Sequence, residues 1–208
     1  MTVAAQTPPP TARLIRSAAV GLFSKIGYEA ASMRQIAAAV GVKPASLYNH
    51  YSSKEEILWE IVQDALSEIL RGQDTALSEN PDTVSRLQAF VRFHASFHAR
   101  ESQAAKIVNH NLSSLIPRHY RRTVADRDRY ERRFRAMLDA GVQEGVFNIP
   151  DTRITSYAIL EMGMGIAIWF RPDGAISIDE LTTRHEELAL RMVGYEPYRS
   201  LRRSRARP

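Results

Sequence analysis

The sequence predicts an all-α protein in which an N-terminal helix-turn-helix domain of three helices precedes a larger helical domain. Apolar residues recur at intervals of three and four along most of the 208 residues, which is the period of an amphipathic helix. Glycine and proline separate these stretches, and no stretch shows the two-residue alternation typical of a β-strand. Because 44% of the residues are apolar, the chain can bury a core.

The composition excludes several classes of protein. The chain contains no cysteine, which rules out disulfides, thiolate zinc sites and cysteine nucleophiles and fits a cytoplasmic protein. The first ten residues are short and proline-rich and do not resemble a secretory signal. The longest apolar stretch, residues 158–170, is too short to cross a bilayer and predicts a buried helix.

Positive charge is concentrated at the two ends of the chain. Residues 1–55 contain six Lys or Arg against two Glu, and residues 195–208 contain five Arg against one Glu. The net charge of the whole chain is +5, so the residues between have an acidic balance. A basic N-terminal segment followed by an acidic one favours contact of the N-terminal segment with a polyanion, although small surface domains also acquire such charge imbalances by chance.

The first helical stretch covers about residues 11–26 and ends at Gly27. We divide the chain into four parts: a disordered arm (residues 1–10), a helix-turn-helix DNA-binding domain (11–55), a helical regulatory and dimerisation domain (56–195) and a basic tail (196–208).

Two short helices follow in close succession. Ser32 and Gln35 form a capping box that starts the second helix, and Gly41 ends it. Pro44 suits the first position of a third helix because its missing N–H would have no partner there. The third helix is therefore predicted over about residues 44–51, and the tight turn before it is typical of a helix-turn-helix.

A second capping box, Ser53 with Glu56, predicts a long fourth helix that extends to about residue 79. The remaining helices are predicted from apolar periodicity and from breaks at glycine and proline, at about residues 82–100, 102–111, 117–144, 151–170 and 178–193.

The third helix exposes an unusual set of side chains. Leu47 and Tyr51 are predicted to face the core, which leaves small and uncharged polar groups outward where a surface helix normally carries Glu and Lys. Asn can pair with adenine, Ser is adaptable and an Ala methyl can contact thymine, so these groups suit base-edge recognition. The alternative is an ordinary helical corner with a polar surface.

Residues 31–58, ASMRQIAAAVGVKPASLYNHYSSKEEIL, resemble the signature of the TetR family of bacterial transcriptional repressors. The likeness includes the Gly41–Val42 turn, the run from Leu47 to an aromatic residue at position 51, and Ser53–Lys54. Specific resemblance covers about residues 11–60, and beyond them only the number and order of helices agree.

The resemblance implies a partner, double-stranded DNA, and a role for each matching residue. Tyr48, His50 and Lys54 would grip phosphates, and Ser32 would cap the second helix and touch the DNA backbone. The residues that would face bases are Arg34, Ala45, Ser46 and Asn49. Lys43 departs from the pattern, because Ser or Thr is commoner there. The cap bond is then lost, and the ammonium group can reach DNA instead.

One helix-turn-helix reads only a few base pairs, and a specific operator needs two of them, so we expect a homodimer. The candidate interface is the last helix pair, which would form a four-helix bundle with its copy, as in the resembled family. Small or apolar residues at helical spacing mark this pair: Ala158, Gly163, Gly165, Ala167, Leu181, Leu188 and Met192. The alternative is that this pair completes the core of the monomer.

The middle helices are predicted to hold a small hydrophobic effector. The candidate ligand-binding residues are aromatic, apolar or polar side chains at helical spacing: Phe90, His94, Phe97, His98, His110, Asn111, Phe134, Met137, Trp169 and Arg171. Aromatic residues at this spacing are also typical of a plain core. His94 and His98 have metal-ligand spacing, but without a third ligand in a known motif we expect no metal and no cofactor.

Arg118, Arg121 and Arg122, together with Trp169 and Arg171, would suit a phosphorylated, bulky effector such as an acyl-CoA. Residues 168–172 resemble TetR-type regulators of lipid or steroid catabolism. A solvated basic face with partners one turn away explains the same arginines.

We therefore expect a ligand-responsive repressor that binds a palindromic operator as a dimer and is released by its effector. The fourth helix joins head and body, so its tilt would set the spacing of the two recognition helices. No phosphate loop, nucleophile elbow or metal triad is found in the sequence, so an enzyme is not expected. The alternative function is a helical adaptor that binds protein without binding DNA.

Overall fold

The computed structural model describes residues 10–196, so nearly all of the predicted arm and basic tail lies outside the described residues. Within that range it contains nine α-helices and one short 3-10 helix, and no strand. This confirms the all-α prediction. The helices are α1 (Pro10–Ile26), α2 (Met33–Ala39), α3 (Pro44–Tyr48), α4 (Lys54–Ser78), α5 (Thr83–Arg100), α6 (Ser102–His110), α7 (Pro117–Gln143), α8 (Thr152–Trp169) and α9 (Ile178–Met192), with the 3-10 turn at Leu112–Ser114.

Side-chain caps fix where several helices begin. The Gln35 N–H donates to Ser32 Oγ at 3.3 Å and the Ser32 N–H donates to Gln35 Oε1 at 2.9 Å, which confirms the first capping box. At the start of α4 the Glu56 N–H donates to Ser53 Oγ as predicted. The Glu56 carboxylate, however, accepts the N–H of Ser52 at 2.7 Å, one residue earlier than the predicted box requires.

The third helix is shorter than predicted, since it ends at Tyr48 and not near residue 51. The backbone tightens after Tyr48, and the His50 N–H donates to the carbonyl of Leu47 at 3.0 Å. This turn lets the Tyr51 side chain enter the core, where its hydroxyl donates to Glu60 at 2.6 Å. Asn49 and His50 therefore lie just beyond the helix.

The chain forms two compact units. The first runs up to Ala65 and adds Gln103–Thr123; the second holds Leu66–Ser102 and the residues from Val124 onward. The first turns of the continuous helix α4 belong to the first unit and bury Ile57 and Leu58 completely. The domain boundary at residues 55 and 56 stays a prediction.

The first unit is built around large apolar side chains from α1 to α4. Those that are fully buried are Ile15, Ile36, Leu47, Ile57 and Leu58. Burying one such side chain stabilises a fold by roughly 1.5–3 kcal/mol. Leu47 is the buried apolar anchor of α3, so its burial fixes which side of this short helix faces outward.

In the second unit, α5 packs against α7, α8 and α9. The rings of Phe90 and Phe134 stack at 4.1 Å between α5 and α7. A cluster of apolar side chains joins α5 to α8 and α9, formed by Ala95, Ala99, Ile166, Phe170 and Leu181.

Part of the predicted dimer interface lies in this core. Gly163, Ala167 and Leu181 are all buried within the single chain. They lie on the sides of α8 and α9 that pack against α5, so the interface prediction is wrong for these three residues. Leu188 and Met192 are exposed.

A buried polar link ties three helices of the second unit together. His94 Nε2 lies 3.1 Å from the carbonyl of Leu160, and Nδ1 lies 2.9 Å from the hydroxyl of Tyr130. Because a carbonyl can only accept, Nε2 must carry the proton, and the Tyr130 hydroxyl then donates to Nδ1. Burial lowers the pKa of His94 to about 4, which keeps the ring neutral.

The His94 ring also explains a glycine in the middle of α8. A Cβ built on Gly163 would lie 2.2 Å from His94 Cδ2 and 2.6 Å from Nε2. The ring cannot retreat without breaking its bonds to Tyr130 and Leu160. Glycine is therefore required here by the close approach of α5 to α8, in spite of its low helix propensity.

Gly163→Ala should lower the free energy of unfolding by about 1–3 kcal/mol, because the added methyl group overpacks a fixed ring. The same change at Gly21, an exposed position in α1 with no heavy atom near the added Cβ, should raise it by up to about 1 kcal/mol. Urea denaturation of both variants gives the comparison. Equal stabilisation by the two substitutions would contradict this account of His94.

Candidate nucleic-acid interface and ligand site

A glycine turn sets the direction of α3. Gly41 has φ +70°, a conformation that glycine adopts without strain. The Val42 N–H donates to the carbonyl of Ala37 and the Gly41 N–H to that of Ala38, which is the Schellman pattern. These bonds end α2, and Pro44 begins α3 three residues after the turn.

The outward side of α3 matches the prediction. Leu47 and Tyr51 are buried, while Ala45, Tyr48 and Asn49 are exposed at intervals of three and four. Tyr48 is a large side chain, and 53% of its surface is exposed. His50 is exposed in the following turn, and Ser46 is half-buried at the edge of the face. The face thus combines a methyl group, an amide and a phenol without acidic side chains.

Two exposed cations belong to the neighbouring parts of the helix-turn-helix. Arg34 in α2 and Lys43 before α3 are exposed, and neither has an ion-pair partner among residues 10–196. Lys43 occupies the N-cap of α3 and makes no side-chain cap bond, as its departure from Ser or Thr predicts. Free ammonium and guanidinium groups beside a neutral polar helix suit a phosphate backbone.

Lys54 is used differently from the prediction. Its Nζ donates to the carbonyls of Tyr28, Glu29 and Ala31 at 2.7, 3.3 and 3.0 Å. It also lies 4.2 Å from the centre of the Tyr28 ring. All three donors are engaged, so the ammonium group holds the loop between α1 and α2 and has none left for a phosphate.

The segment Gln103–Thr123 contacts the beginning of α4 within the first unit. Glu55 accepts the Ile116 N–H at 3.0 Å and the Nδ1–H of His119 at 2.8 Å. The His119 ring stacks on Trp59 at 4.1 Å with 2° between the planes. Sequence reasoning missed this contact, because some sixty residues separate its partners and no local pattern connects them.

The ligand site was predicted between the middle helices. Several of its residues do lie together in the second unit, and these are the buried side chains of α5 and α7: Phe90, His94, Phe97, His98, Phe134 and Met137. His94 has both ring nitrogens bonded within the chain, so it offers no polar atom to a ligand.

His98 lies one turn further along α5 and has no such partners. It is 4% exposed, and neither Nδ1 nor Nε2 has a hydrogen-bond partner in the described part of the chain. Burial is the main cause that lowers the pKa of His98, to about 2, and repulsion from Arg127 and from His94, which carries a charge only at acidic pH, adds to it. The ring is therefore neutral, with one free N–H donor and one free acceptor.

The remaining predicted ligand residues lie elsewhere. His110 and Asn111 belong to the first unit, and their side chains bond to carbonyls of α6, those of Lys106 and Ile107, at 2.9 Å. Trp169 and Arg171 are exposed where α8 ends. The predicted ligand-binding residues thus come from both units, and their role in one site stays a prediction.

The arginines of the acyl-CoA prediction are divided in the same way. Arg118, Arg121 and Arg122 belong to the first unit, and Trp169 and Arg171 to the second.

No three His, Cys, Asp or Glu side chains among residues 10–196 are placed so that they could bind one metal ion. In the same range, no helix combines the length and the apolar character that a membrane span requires.

Two family models match the chain. The model described as "Bacterial regulatory proteins, tetR family" matches residues 15–61, and "Tetracyclin repressor-like, C-terminal domain" matches residues 80–193. Together they cover the reading face of α3 and nearly all of the helices after α4.

Individual proteins show the same likeness. The HTH-type transcriptional repressor KstR2 of Mycobacterium tuberculosis is 26% identical over 177 residues, which cover 83% of this chain and 87% of that protein. The TetR family regulator PfmR of Thermus thermophilus is 36% identical, with a TM-score of 0.79 over 86% of this chain and 97% of that one. AibR, solved with isovaleryl coenzyme A and operator DNA, shares the fold at 24% identity, with a TM-score of 0.79 over 89% and 99% of the two chains.

Lys54→Met should lower the free energy of unfolding by about 1–3 kcal/mol, because three carbonyls lose their donor and the hydrogen bonds to two of them, Tyr28 and Ala31, are half-buried. The logarithm of DNA affinity against the logarithm of salt concentration should keep its slope, since no phosphate contact is removed. Lys43→Met is the matched control. It should leave stability unchanged and reduce the slope by about 1. The reverse result, with the slope changed only at Lys54, would show that Lys54 leaves the loop to bind phosphate.

Proposed function

The chain belongs to the TetR family and is a transcriptional regulator, and we propose that it is a dimeric repressor that leaves a palindromic operator when an effector binds. The observation that supports DNA recognition best is the outward face of α3, where Ala45, Tyr48 and Asn49 are exposed. Arg34 and Lys43 are exposed nearby in the sequence and have no ion-pair partner among residues 10–196. The family consists of regulators and not enzymes, in agreement with the sequence-based expectation. Because its proposed partner is chromosomal DNA, we also propose that the protein is cytoplasmic.

Within this proposal the residues divide into two groups. Asn49, Ala45, Ser46 and Arg34 read base edges in the major groove. The remaining groups hold the backbone, and they are Ser32, Lys43, Tyr48 and His50. Lys54 supports them indirectly by fixing the loop before α2.

The dimer is proposed to form through α8 and α9. On α8 the residues 154, 157, 158, 161, 165 and 168 recur at helical spacing and face away from the core. Ile154 is 63% exposed and Ile168 is 66% exposed. Leu188 and Met192 are further exposed apolar residues, on α9. A monomer would leave these side chains in water, and a two-fold partner would cover them.

The effector is proposed to bind in the second unit beside His98 and to be an acyl compound such as an acyl-CoA. AibR, of the same fold, was solved with isovaleryl coenzyme A and operator DNA, and KstR2 is named a repressor. An effector shifts the protein off DNA only if it binds the DNA-incompetent conformation better. Helices α4 and α7 both contribute residues to the two units, so they are the continuous elements through which such a shift can act.

DNA recognition can be tested on the sequence upstream of the gene. The protein should prefer one inverted repeat over random DNA at physiological salt, and its affinity should fall steeply as salt rises. Asn49→Ala should cost about 1–3 kcal/mol at one operator position and relax base preference there. Fluorescence anisotropy with single-position operator variants measures both effects.

The control for this experiment is Asn148→Ala, which makes the same change at an exposed position of the second unit. It should leave both affinity and base preference unchanged. A protein that binds every duplex equally would contradict the repressor proposal and would favour an adaptor that binds protein.

The dimer can be tested by Ile168→Glu. A charge on the exposed apolar face of α8 should convert the dimer to a monomer and weaken operator binding at least tenfold, because one head reads only half of the site. Val142→Glu places the same charge on another exposed apolar residue and should remain dimeric. Sedimentation equilibrium at micromolar concentration decides between them, and a dimer that persists in Ile168→Glu would exclude this interface.

A further inference from the structure

His98 is an exception in a well-satisfied core. Buried polar groups in folded proteins almost always have hydrogen-bond partners, and leaving one without a partner destabilises the fold. His94, one turn earlier on the same helix, has both ring nitrogens bonded. His98 has neither, although it is as deeply buried. A partner is therefore missing at His98 that the described part of the chain does not supply.

The register of α5 against α7 shows what lies opposite His98. The two helices run antiparallel, with Phe90 stacked on Phe134 and His94 bonded to Tyr130. One turn further along α5 from His94, this register brings the turn of α7 that precedes Tyr130, and Arg127 lies there on the helical face shared by Tyr130 and Phe134. The positive charge of Arg127 also contributes to lowering the pKa of His98.

Arg127 is also without a counterion. It is half-buried and forms no ion pair among the described residues. The nearest carboxylates on its own helix are engaged. Asp126 pairs with Arg129 at 3.3 Å, and Glu131 accepts from Ser156 at 2.8 Å and pairs with Arg135. Arg127 and the N–H donor of His98, both without a partner among residues 10–196, therefore belong to the facing helices α7 and α5 of the second unit.

We propose that His98 and Arg127 bind an oxygen acceptor of the effector, the carbonyl or carboxylate of an acyl group, whose hydrocarbon part lies among the aromatic side chains of α5 and α7. The neutral His98 ring donates its N–H to the oxygen, and the Arg127 guanidinium group supplies positive charge. Phe97, whose ring centre lies 5.3 Å from that of His98, makes the surroundings apolar. This assignment rests on the proposed effector response and names the chemistry of its ligand.

Two sources offer this chemistry, a free carboxylic acid and a CoA thioester. Binding is measured by calorimetry with decanoate, with decanoyl-CoA and with decylamine, which has a similar chain but a cationic head that cannot accept a hydrogen bond. We expect decanoate or decanoyl-CoA to bind at least tenfold more tightly than decylamine, and the tighter of the two identifies the source. Equal binding of all three, or binding of none, would overturn the assignment.

Substitutions locate the site. His98→Phe and Arg127→Gln should each weaken binding of the tighter probe at least tenfold. Arg132→Gln, on the exposed side of the same helix, should change it less than twofold. Unchanged binding in both His98→Phe and Arg127→Gln would also overturn the assignment. Operator affinity without any probe should remain at the wild-type level in all three variants, so failure of this inference is distinguishable from failure of the repressor proposal.

Thermal unfolding supplies a test that needs no ligand. If His98 is kept for binding and not for the fold, removing its unpaired nitrogens should raise Tm by about 2–8 °C in His98→Phe or in the smaller His98→Leu. A lower Tm in both variants would show that His98 serves the fold and would overturn its assignment to a ligand.

Discussion

The burial of Leu47 and Tyr51 is the constraint on which the DNA-reading surface depends. Helix α3 has only five residues, so its orientation comes from packing and not from its own stability. With Leu47 fully buried and the Tyr51 hydroxyl bonded to Glu60, the intervening and flanking residues have one direction left to face. The exposed methyl, phenol and amide groups are thus a consequence of two buried side chains, and the Gly41 turn supplies the angle at which α3 starts.

In the second unit, hydrogen bonding distinguishes a histidine that serves the fold from one that is available to a ligand. His94 and His98 are four residues apart on α5, and the sequence alone treats them as equivalent. The structure does not, because His94 meets the Tyr130 hydroxyl and a carbonyl exposed by the absence of a side chain at Gly163, whereas His98 meets no polar partner in the described residues. One histidine therefore holds three helices together, and the other remains available.

Much of the fold could be predicted from the sequence, because capping residues, glycines and apolar periodicity act locally. The start of α2 at Ser32 and the inward direction of Leu47 follow from residues within one or two turns. The contacts that were missed or misassigned join distant positions. Lys54 reaches carbonyls more than twenty residues earlier, and His119 meets Trp59. The sequence does show that Arg127 shares a helical face with Tyr130 and Phe134. It does not show that this face packs against α5, because that depends on the register of α5 against α7.

Some of these long-range contacts join the segment Gln103–Thr123 to the helix that follows the helix-turn-helix. The family model for the C-terminal domain includes residues 103–123, yet these residues form a compact unit with the helix-turn-helix. Glu55 lies in the first turn of α4, directly after the helix-turn-helix, and it binds this segment through Ile116 and His119. A change in the direction of α7 would therefore act on Glu55 and Trp59 directly, without passing through α3. Lys54, the neighbour of Glu55, holds the loop before α2, so adjacent residues of α4 contact the beginning of the helix-turn-helix and the segment Gln103–Thr123.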